Sequence, residues 1–164
     1  MAKSPEILWL DALEAEQEGD REAALELAKR VVDLDESHVD AWMGIAFFTL
    51  PAKSKGRQKL PSLSEAATAL SAVKRVVGIN PEHNRAWDLG GELLVDHLGM
   101  LEHALEWWEE RRKISPSEVK PIIEQLAILI RLGYYEECAD LLEELYSDEI
   151  EIPETNRMIY KIEN

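Results

Sequence analysis

The chain has 164 residues, of which 46% are hydrophobic, and its 33 acidic and 18 basic side chains give a formal net charge of −15. This is the length of about one domain, and the hydrophobic fraction is too high for a disordered acidic tail. Charge this negative argues against nucleic acid as the primary partner and against an anionic membrane, because phosphate contacts need clustered Lys and Arg.

The cysteine count and the apolar runs exclude further classes. Cys138 is the single cysteine, so an intramolecular disulfide and a cysteine-based zinc site are excluded. The longest uncharged apolar run, Leu126 to Ile130, is far shorter than the roughly 20 residues of a membrane span, and no apolar signal run opens the chain. We expect a cytoplasmic protein that needs no cofactor.

Helix-forming residues and helix-capping patterns recur along the whole chain, and alternating strand patterns are absent. Ser62-Leu63-Ser64-Glu65 and Ser115-Pro116-Ser117-Glu118 both fit a capping box, and Gly19, Gly99 and Gly133 fit helix ends. The sequence predicts helices at 5–18, 20–34, 38–50, 63–79, 82–97, 101–113, 118–132, 134–147 and 154–162.

These helices form pairs that repeat. The segment Lys29-Arg30-Val31-Val32, followed by His38 and Ala41-Trp42, recurs 45 residues later as Lys74-Arg75-Val76-Val77, His83 and Ala86-Trp87. Residues 51–61 are basic and bounded by prolines, and we interpret them as an insertion that lengthens a period of about 34 residues.

A helix-turn-helix period of this length resembles the tetratricopeptide repeat (TPR) family. Ala41-Trp42-Met43-Gly44 and Ala86-Trp87 are similar to its first-helix signature, and Ile79-Asn80-Pro81 is similar to the end of a repeat. The resemblance implies an all-α fold, a right-handed α–α superhelix of about four hairpins in a single domain. The repeats would span about 5–37, 38–81, 82–116 and 117–148, with a short C-terminal capping helix within 149–164.

The resemblance also implies a concave groove lined by the first helix of each repeat. Carrying its groove positions over gives Trp9 and Leu13, then Asp40, Met43 and Phe47, then Arg85, Asp88, Glu92 and Asp96, and finally Lys120, Ile123, Ala127 and Arg131. Family members that grip acidic chaperone tails use Lys, Arg and Asn on these helices. Acidic and apolar residues stand at most of these places, so we predict no such clamp.

Charge is unevenly distributed over this groove and the insertion. Asp88, Glu92 and Asp96 are four residues apart on one helix, so we expect them to stack on one face, where like charges repel unless a basic partner relieves them. The alternative is a solvated acidic face. The basic insertion could likewise bind an acidic partner or be a solvated loop; its bases are Lys53, Lys55, Arg57 and Lys59.

Other residues with chemical potential fit structural roles better. Trp42 and Trp87 are expected to pack between helices, and Cys138 is expected to be a buried, inert thiol. Trp107 is expected to face outward, where it is a possible surface contact, or towards the next repeat, with partial burial as the alternative. His97 and His103 flank one turn but lack a third metal ligand, so we predict no metal site and no enzyme.

The sequence therefore favours a non-catalytic scaffold whose groove binds an apolar and basic protein segment. Two alternatives stay open: a structural subunit of a homo- or hetero-oligomer, and an acidic chaperone for a basic client protein.

Overall fold

The computed structural model describes residues 2–52 and 59–147. Within these ranges there are eight α-helices and one π-helical turn, in the order α1 Pro5–Gln17, α2 Arg21–Leu34, α3 Val39–Thr49, α4 Leu63–Ile79, α5 Asn84–Glu92, the π turn Leu93–His97, α6 Leu101–Ile114, α7 Lys120–Leu132 and α8 Tyr135–Ser147. The predicted helices are confirmed within a few residues at each end. The predicted helix 154–162, the capping segment 149–164 and the bases Lys53, Lys55 and Arg57 lie outside the described residues.

The chain divides into two compact units, Met1–Gly99 and Met100–Asn164. In the first unit each helix packs against its neighbour in chain order, from α1 through α4 to α5 and the π turn. In the second unit α6 packs against α7, and α7 packs against α8. The division into four repeats of one domain stays a prediction.

Local capping explains where the helices of the first unit begin. The hydroxyl of Ser4 accepts a hydrogen bond from the backbone N–H of Ile7, and the carboxylate of Asp20 accepts one from Ala23. The predicted capping box of α4 is confirmed, because Ser62 and Glu65 each accept a hydrogen bond from the other's backbone N–H. Each cap satisfies a donor that the first helical turn leaves unpaired.

Removal of the α4 cap gives a small, testable loss of stability. We expect Ser62→Ala to lower the free energy of unfolding by about 1 kcal/mol, since it removes the hydroxyl that accepts from the Glu65 N–H. Urea unfolding at neutral pH measures this loss, with the neighbouring exposed Ser64→Ala as control. A loss no larger than that of the control would show that this cap contributes nothing.

The same cap depends on pH. The hydrogen bonds from Ser62, first from its backbone N–H and then from its hydroxyl, lower the pKa of Glu65. The folded-state pKa therefore lies below that of the unfolded chain, so this contribution to stability is present at neutral pH and is lost as the pH falls through the folded-state pKa.

The 45-residue repeat is confirmed by matching hydrogen bonds. The indole N–H of Trp42 donates to the carbonyl of Glu36 over 2.8 Å, and that of Trp87 donates to Pro81 over 2.8 Å. His38 and His83 cap their helices in the same way, since the Nδ1 atom of each accepts from the backbone N–H three residues on, at 3.0 and 3.1 Å. Both tryptophans and both histidines are therefore structural.

The second predicted capping box is wrong. α7 begins at Lys120 after Val119, no side-chain hydrogen bond caps it, and Pro121 stands in its first turn. Glu118 is used differently: its carboxylate accepts two hydrogen bonds from the guanidinium of Arg111, at 2.6 and 3.0 Å. The side chain of Arg111 is 1% exposed, and a buried cation requires a paired anion. Glu118 therefore pairs with Arg111 and does not cap α7.

The expected surface position of Trp107 is also wrong, because this side chain is only 9% exposed. The buried face of α6 comprises Ala104, Trp107, Trp108 and Arg111. Positions three and four residues apart share one face of a helix, so a single broad stripe contains both tryptophans.

The core of the second unit contains the only cysteine. Cys138 is fully buried among the leucines and isoleucines of α7 and α8, including Ile122, Leu126 and Leu142. Burial raises the pKa of its thiol, which disfavours the reactive thiolate. The predicted burial of this thiol is confirmed, and its inertness stays a prediction.

Candidate functional site

The first unit contains a solvent-accessible groove with a volume of about 630 Å³. Its walls come from α1, α3 and α5, which are the first helices of the predicted repeats, together with Arg21, the π turn and the segments 50–52 and 59–61. Most of the lining is apolar, and the apolar side chains include Trp9, Leu13, Met43, Phe47, Phe48, Leu60, Leu89 and Leu93. Seven of the positions inferred from the TPR resemblance are among the lining residues: Trp9, Leu13, Asp40, Met43, Phe47, Arg85 and Glu92.

Trp9 forms part of this wall by packing closely on α3. Its ring centroid lies 5.7 Å from that of His38 and 6.4 Å from that of Phe48. The indole fits here because Gly44 has no side chain: a Cβ at that position would lie 2.7 Å from the Trp9 Cη2 atom. The small residue of the repeat signature thus determines how close α1 lies to α3.

Arg21 shapes the part of the groove where α3 ends. Its guanidinium donates hydrogen bonds to the backbone carbonyls of Phe47 and, over 3.0 Å, of Leu50. These carbonyls belong to the last turn of α3, where a cation is also favoured by the helix dipole. Sequence reasoning missed Arg21, because nothing in the local sequence links the start of α2 to the end of α3.

The predicted stack of Asp88, Glu92 and Asp96 is not what lines the groove. Glu92 lines it, whereas Asp88 and Asp96 are exposed outside it. For Asp96 the reason is the π turn, in which the N–H of Leu98 donates to the carbonyl of Leu93, five residues back. One turn beyond Glu92 the groove is therefore lined by His97, whose Nε2 atom lies 3.9 Å from the Glu92 Oε1 atom. Asp88 precedes the π turn, and the α5 residues that line the groove are Arg85, Leu89 and Glu92.

The charged side chains along the groove balance, which corrects the expected acidic character. Three carboxylates line it, from Glu16, Asp40 and Glu92, and so do three cations, from Arg21, Lys59 and Arg85. Two of the cations are engaged by the protein itself, Arg21 on the carbonyls at the end of α3 and Arg85 over the ring of Phe47.

The remaining predicted site residues fall in three places. Lys59 is the one base of the insertion among the described residues, and it lines the groove. Ile123 is half-buried and packs against the core of the second unit. Arg131 is exposed near the end of α7. Whether Ile123 and Arg131 belong to a binding surface stays a prediction.

Residues 2–52 and 59–147 contain neither a cluster of potential metal ligands nor a helix suited to crossing a membrane. No three His, Cys, Asp or Glu side chains there are placed to hold a metal ion. No described helix combines the length and the apolar character that crossing a membrane requires.

Comparison with solved structures identifies the fold. The first TPR domain of Spaghetti (RPAP3), bound to an HSP90 peptide, is 18% identical and covers 79% of this chain and 96% of its own, with a TM-score of 0.53. The second TPR domain of human RPAP3, in complex with an HSP70 peptide, is 16% identical in sequence, with a TM-score of 0.54. The match covers 76% of this chain and 98% of the RPAP3 domain.

A third structure, MamA from Desulfovibrio magneticus, is 21% identical and covers 89% of this chain and 76% of its own, with a TM-score of 0.56. No protein-family model and no curated protein matches the chain. The fold is therefore the all-α fold of TPR domains, as the sequence predicted, with repeats that have diverged in sequence.

Proposed function

We propose that this protein is a non-catalytic scaffold that binds a segment of another protein in the groove of its first unit. The observation that carries the proposal is the groove itself: a solvent-accessible and mostly apolar groove whose walls include three successive first helices. The RPAP3 domains of the same fold are described as bound to HSP90 and HSP70 peptides, which supports peptide binding as a use of this fold.

Phe47 and Trp9 are the proposed apolar anchors. Both are half-buried and line the groove. Large aromatic side chains that are partly exposed in a concave surface are the usual centres of binding energy in protein interfaces. Leu13 and Leu89 extend the apolar surface on either side, so the segment is expected to insert at least one large apolar side chain.

The bound segment is proposed to be basic as well as apolar. The carboxylates of Glu16 and Asp40 have no hydrogen bond or ion pair among the described residues, and Glu92 has only the contact with His97. A lysine or arginine of the segment would neutralise them. The net charge of −15 would also steer a basic segment towards the protein.

Truncation of Phe47 tests the proposal. We expect Phe47→Ala to weaken binding to a Lys/Arg-containing apolar peptide selected from a synthetic peptide array by at least tenfold, since truncation of an anchor residue costs about 2 kcal/mol or more. Binding is measured by fluorescence anisotropy with the full chain. Circular dichroism shows that the variant remains folded.

Leu10→Ala is the matched control, because Leu10 is 63% exposed on α1 and does not line the groove. The proposal fails if no peptide binds, or if both variants weaken binding equally. Weaker binding at higher salt concentration would support the basic character of the ligand, because salt screens exposed charges.

One observation favours the alternative of a structural subunit. Leu10 and Ile7, which is 49% exposed, lie three residues apart on α1 and form an exposed apolar pair. Light scattering distinguishes the two roles, because a subunit would form an oligomer of fixed size whereas the scaffold needs no self-association.

A further inference from the structure

Arg85 occupies the aromatic surface of the groove. Its guanidinium carbon lies 4.9 Å from the centroid of the Phe47 ring, and both side chains line the groove. Arg85 is exposed at the start of α5, and no carboxylate among the described residues forms an ion pair with it. A cation over the face of an aromatic ring is attracted by the ring's quadrupole, so this contact favours the observed position of the guanidinium without fixing it there.

We propose that Arg85 selects the segments that the groove accepts, because it occupies, as an internal cation, the aromatic face that a lysine or arginine of the bound segment would take. The proposal rests on the proposed function and concerns the same groove. In this role Arg85 is a specificity-determining residue, which competes with the cation of the ligand for Phe47.

The charges around Arg85 support competition rather than simple repulsion of every cation. The carboxylates of Asp40 and Glu92 line the same groove and offer a basic segment favourable contacts. Asp40 stands 45 residues before Arg85, at the equivalent position of the preceding repeat. This position therefore carries a negative charge in one repeat and a positive charge in the next. One cation of a bound segment can therefore form an ion pair with the carboxylate of Asp40 or Glu92. A second cation that approaches the ring of Phe47 is repelled by Arg85, which already occupies the ring face.

The other groove cation close to Phe47 is unsuited to this role. Arg21 donates to the carbonyls of Phe47 and Leu50, and it is half-buried, so its orientation is fixed by backbone acceptors. The guanidinium of Arg85 contacts only a ring face in the part of the chain that the structure describes. Arg85 can therefore move aside without leaving a buried backbone carbonyl unpaired.

Removal of this cation should strengthen binding. We expect Arg85→Ala to raise the affinity for peptides with two or more Lys or Arg beside a large apolar residue by about three- to tenfold, because it frees the Phe47 face and removes a like charge. Arg85→Lys keeps the charge and should change the affinity less. Arg30→Ala is the matched control, since Arg30 is an exposed arginine of α2 outside the groove.

The test uses the full chain on an array of short random peptides, followed by titration of the selected peptides with each variant. Enrichment of Lys- and Arg-rich peptides by Arg85→Ala, and not by Arg30→Ala, supports the proposal. An unchanged preference overturns it, and so does a selective loss of Asp- or Glu-containing peptides, which would make Arg85 a contact for an acidic ligand.

The same array separates the two levels of inference. If peptides bind and depend on Phe47 but are indifferent to Arg85→Ala, the role of Arg85 is overturned and the proposed function stands. If no peptide depends on Phe47, the proposed function and the role of Arg85 both fall.

Discussion

Replacement of Glu118 by alanine is expected to lower the free energy of unfolding by about 3 kcal/mol. Glu118 holds the guanidinium of Arg111 through two hydrogen bonds, and the Arg111 side chain is 1% exposed. Loss of this carboxylate removes a counter-charge and two charge-assisted hydrogen bonds from a buried cation, which costs more than the loss of an exposed ion pair. The Glu118 side chain is 36% exposed, so the effect falls at the low end for buried pairs.

The repeat explains why this pair is unusual. Asp35, Asn80 and Ser115 each follow a helix and donate their backbone N–H to the carbonyl four residues back, which belongs to Val31, Val76 and Arg111 respectively. The two valines are fully buried. Arg111 thus stands at a core position that is apolar in the preceding repeats, and Glu118 stands where those repeats have the capping histidines.

A double variant distinguishes charge from packing. Arg111→Met together with Glu118→Ala replaces the pair by an apolar side chain of similar length, and we expect its stability to lie within about 1 kcal/mol of the parent. Urea unfolding followed by tryptophan fluorescence measures both variants. A neutral effect of Glu118→Ala, or a double variant as unstable as the single one, would contradict this account.

The sequence predicts the turns of this protein well because their chemistry is local. The cap formed by Ser62 and Glu65, and the contacts of His38 and Trp42, involve residues at most six positions apart. Such contacts depend on residue type and spacing, which are visible without a structure. The same reasoning predicted a groove along the first helices of all four repeats, and the structure shows a groove lined by residues of α1, α3 and α5 but by none of α7.

What escaped prediction depends on contacts between distant residues. The bond from Arg21 to Leu50 joins residues 29 positions apart, and the π turn that places His97 beside Glu92 interrupts a segment that reads as continuous helix. The burial of Arg111 could have been inferred, because alignment of the repeats places it with Val31 and Val76. For Trp107, the prediction assumed that only one of two adjacent tryptophans can be buried. The buried face of α6 is broad enough to include both Trp107 and Trp108.

The second large effect concerns Gly44. We expect Gly44→Ala to lower the free energy of unfolding by about 1–2 kcal/mol, although alanine is the better helix former. The new methyl group would lie 2.7 and 2.8 Å from two atoms of the Trp9 ring and 3.1 Å from the Phe48 ring. The Trp9 ring is rigid and packs against His38 and Phe48, so α1 must move away from α3 to accommodate the methyl group.

Gly78→Ala is the matched control and should have the opposite sign. Gly78 is exposed near the end of α4, and a Cβ there would meet no atom within 4 Å. The substitution therefore stabilises by about 0.5–1 kcal/mol through helix propensity alone. Equal effects of the two substitutions in urea unfolding would show that contact with Trp9 does not determine the cost.

The movement forced by Gly44→Ala should also change the groove, because Trp9 belongs to its wall. Trp9→Phe in the same chain removes the outer ring atoms that the methyl group would meet, so the double variant should recover part of the lost stability. The loss of peptide affinity should persist, since the smaller ring leaves the apolar wall incomplete.

Recovery of stability without recovery of affinity would separate the two roles of Trp9, packing α1 on α3 and presenting an apolar surface to the ligand. Joint recovery of both would mean that Trp9 only positions the helices and that the ligand contacts other residues.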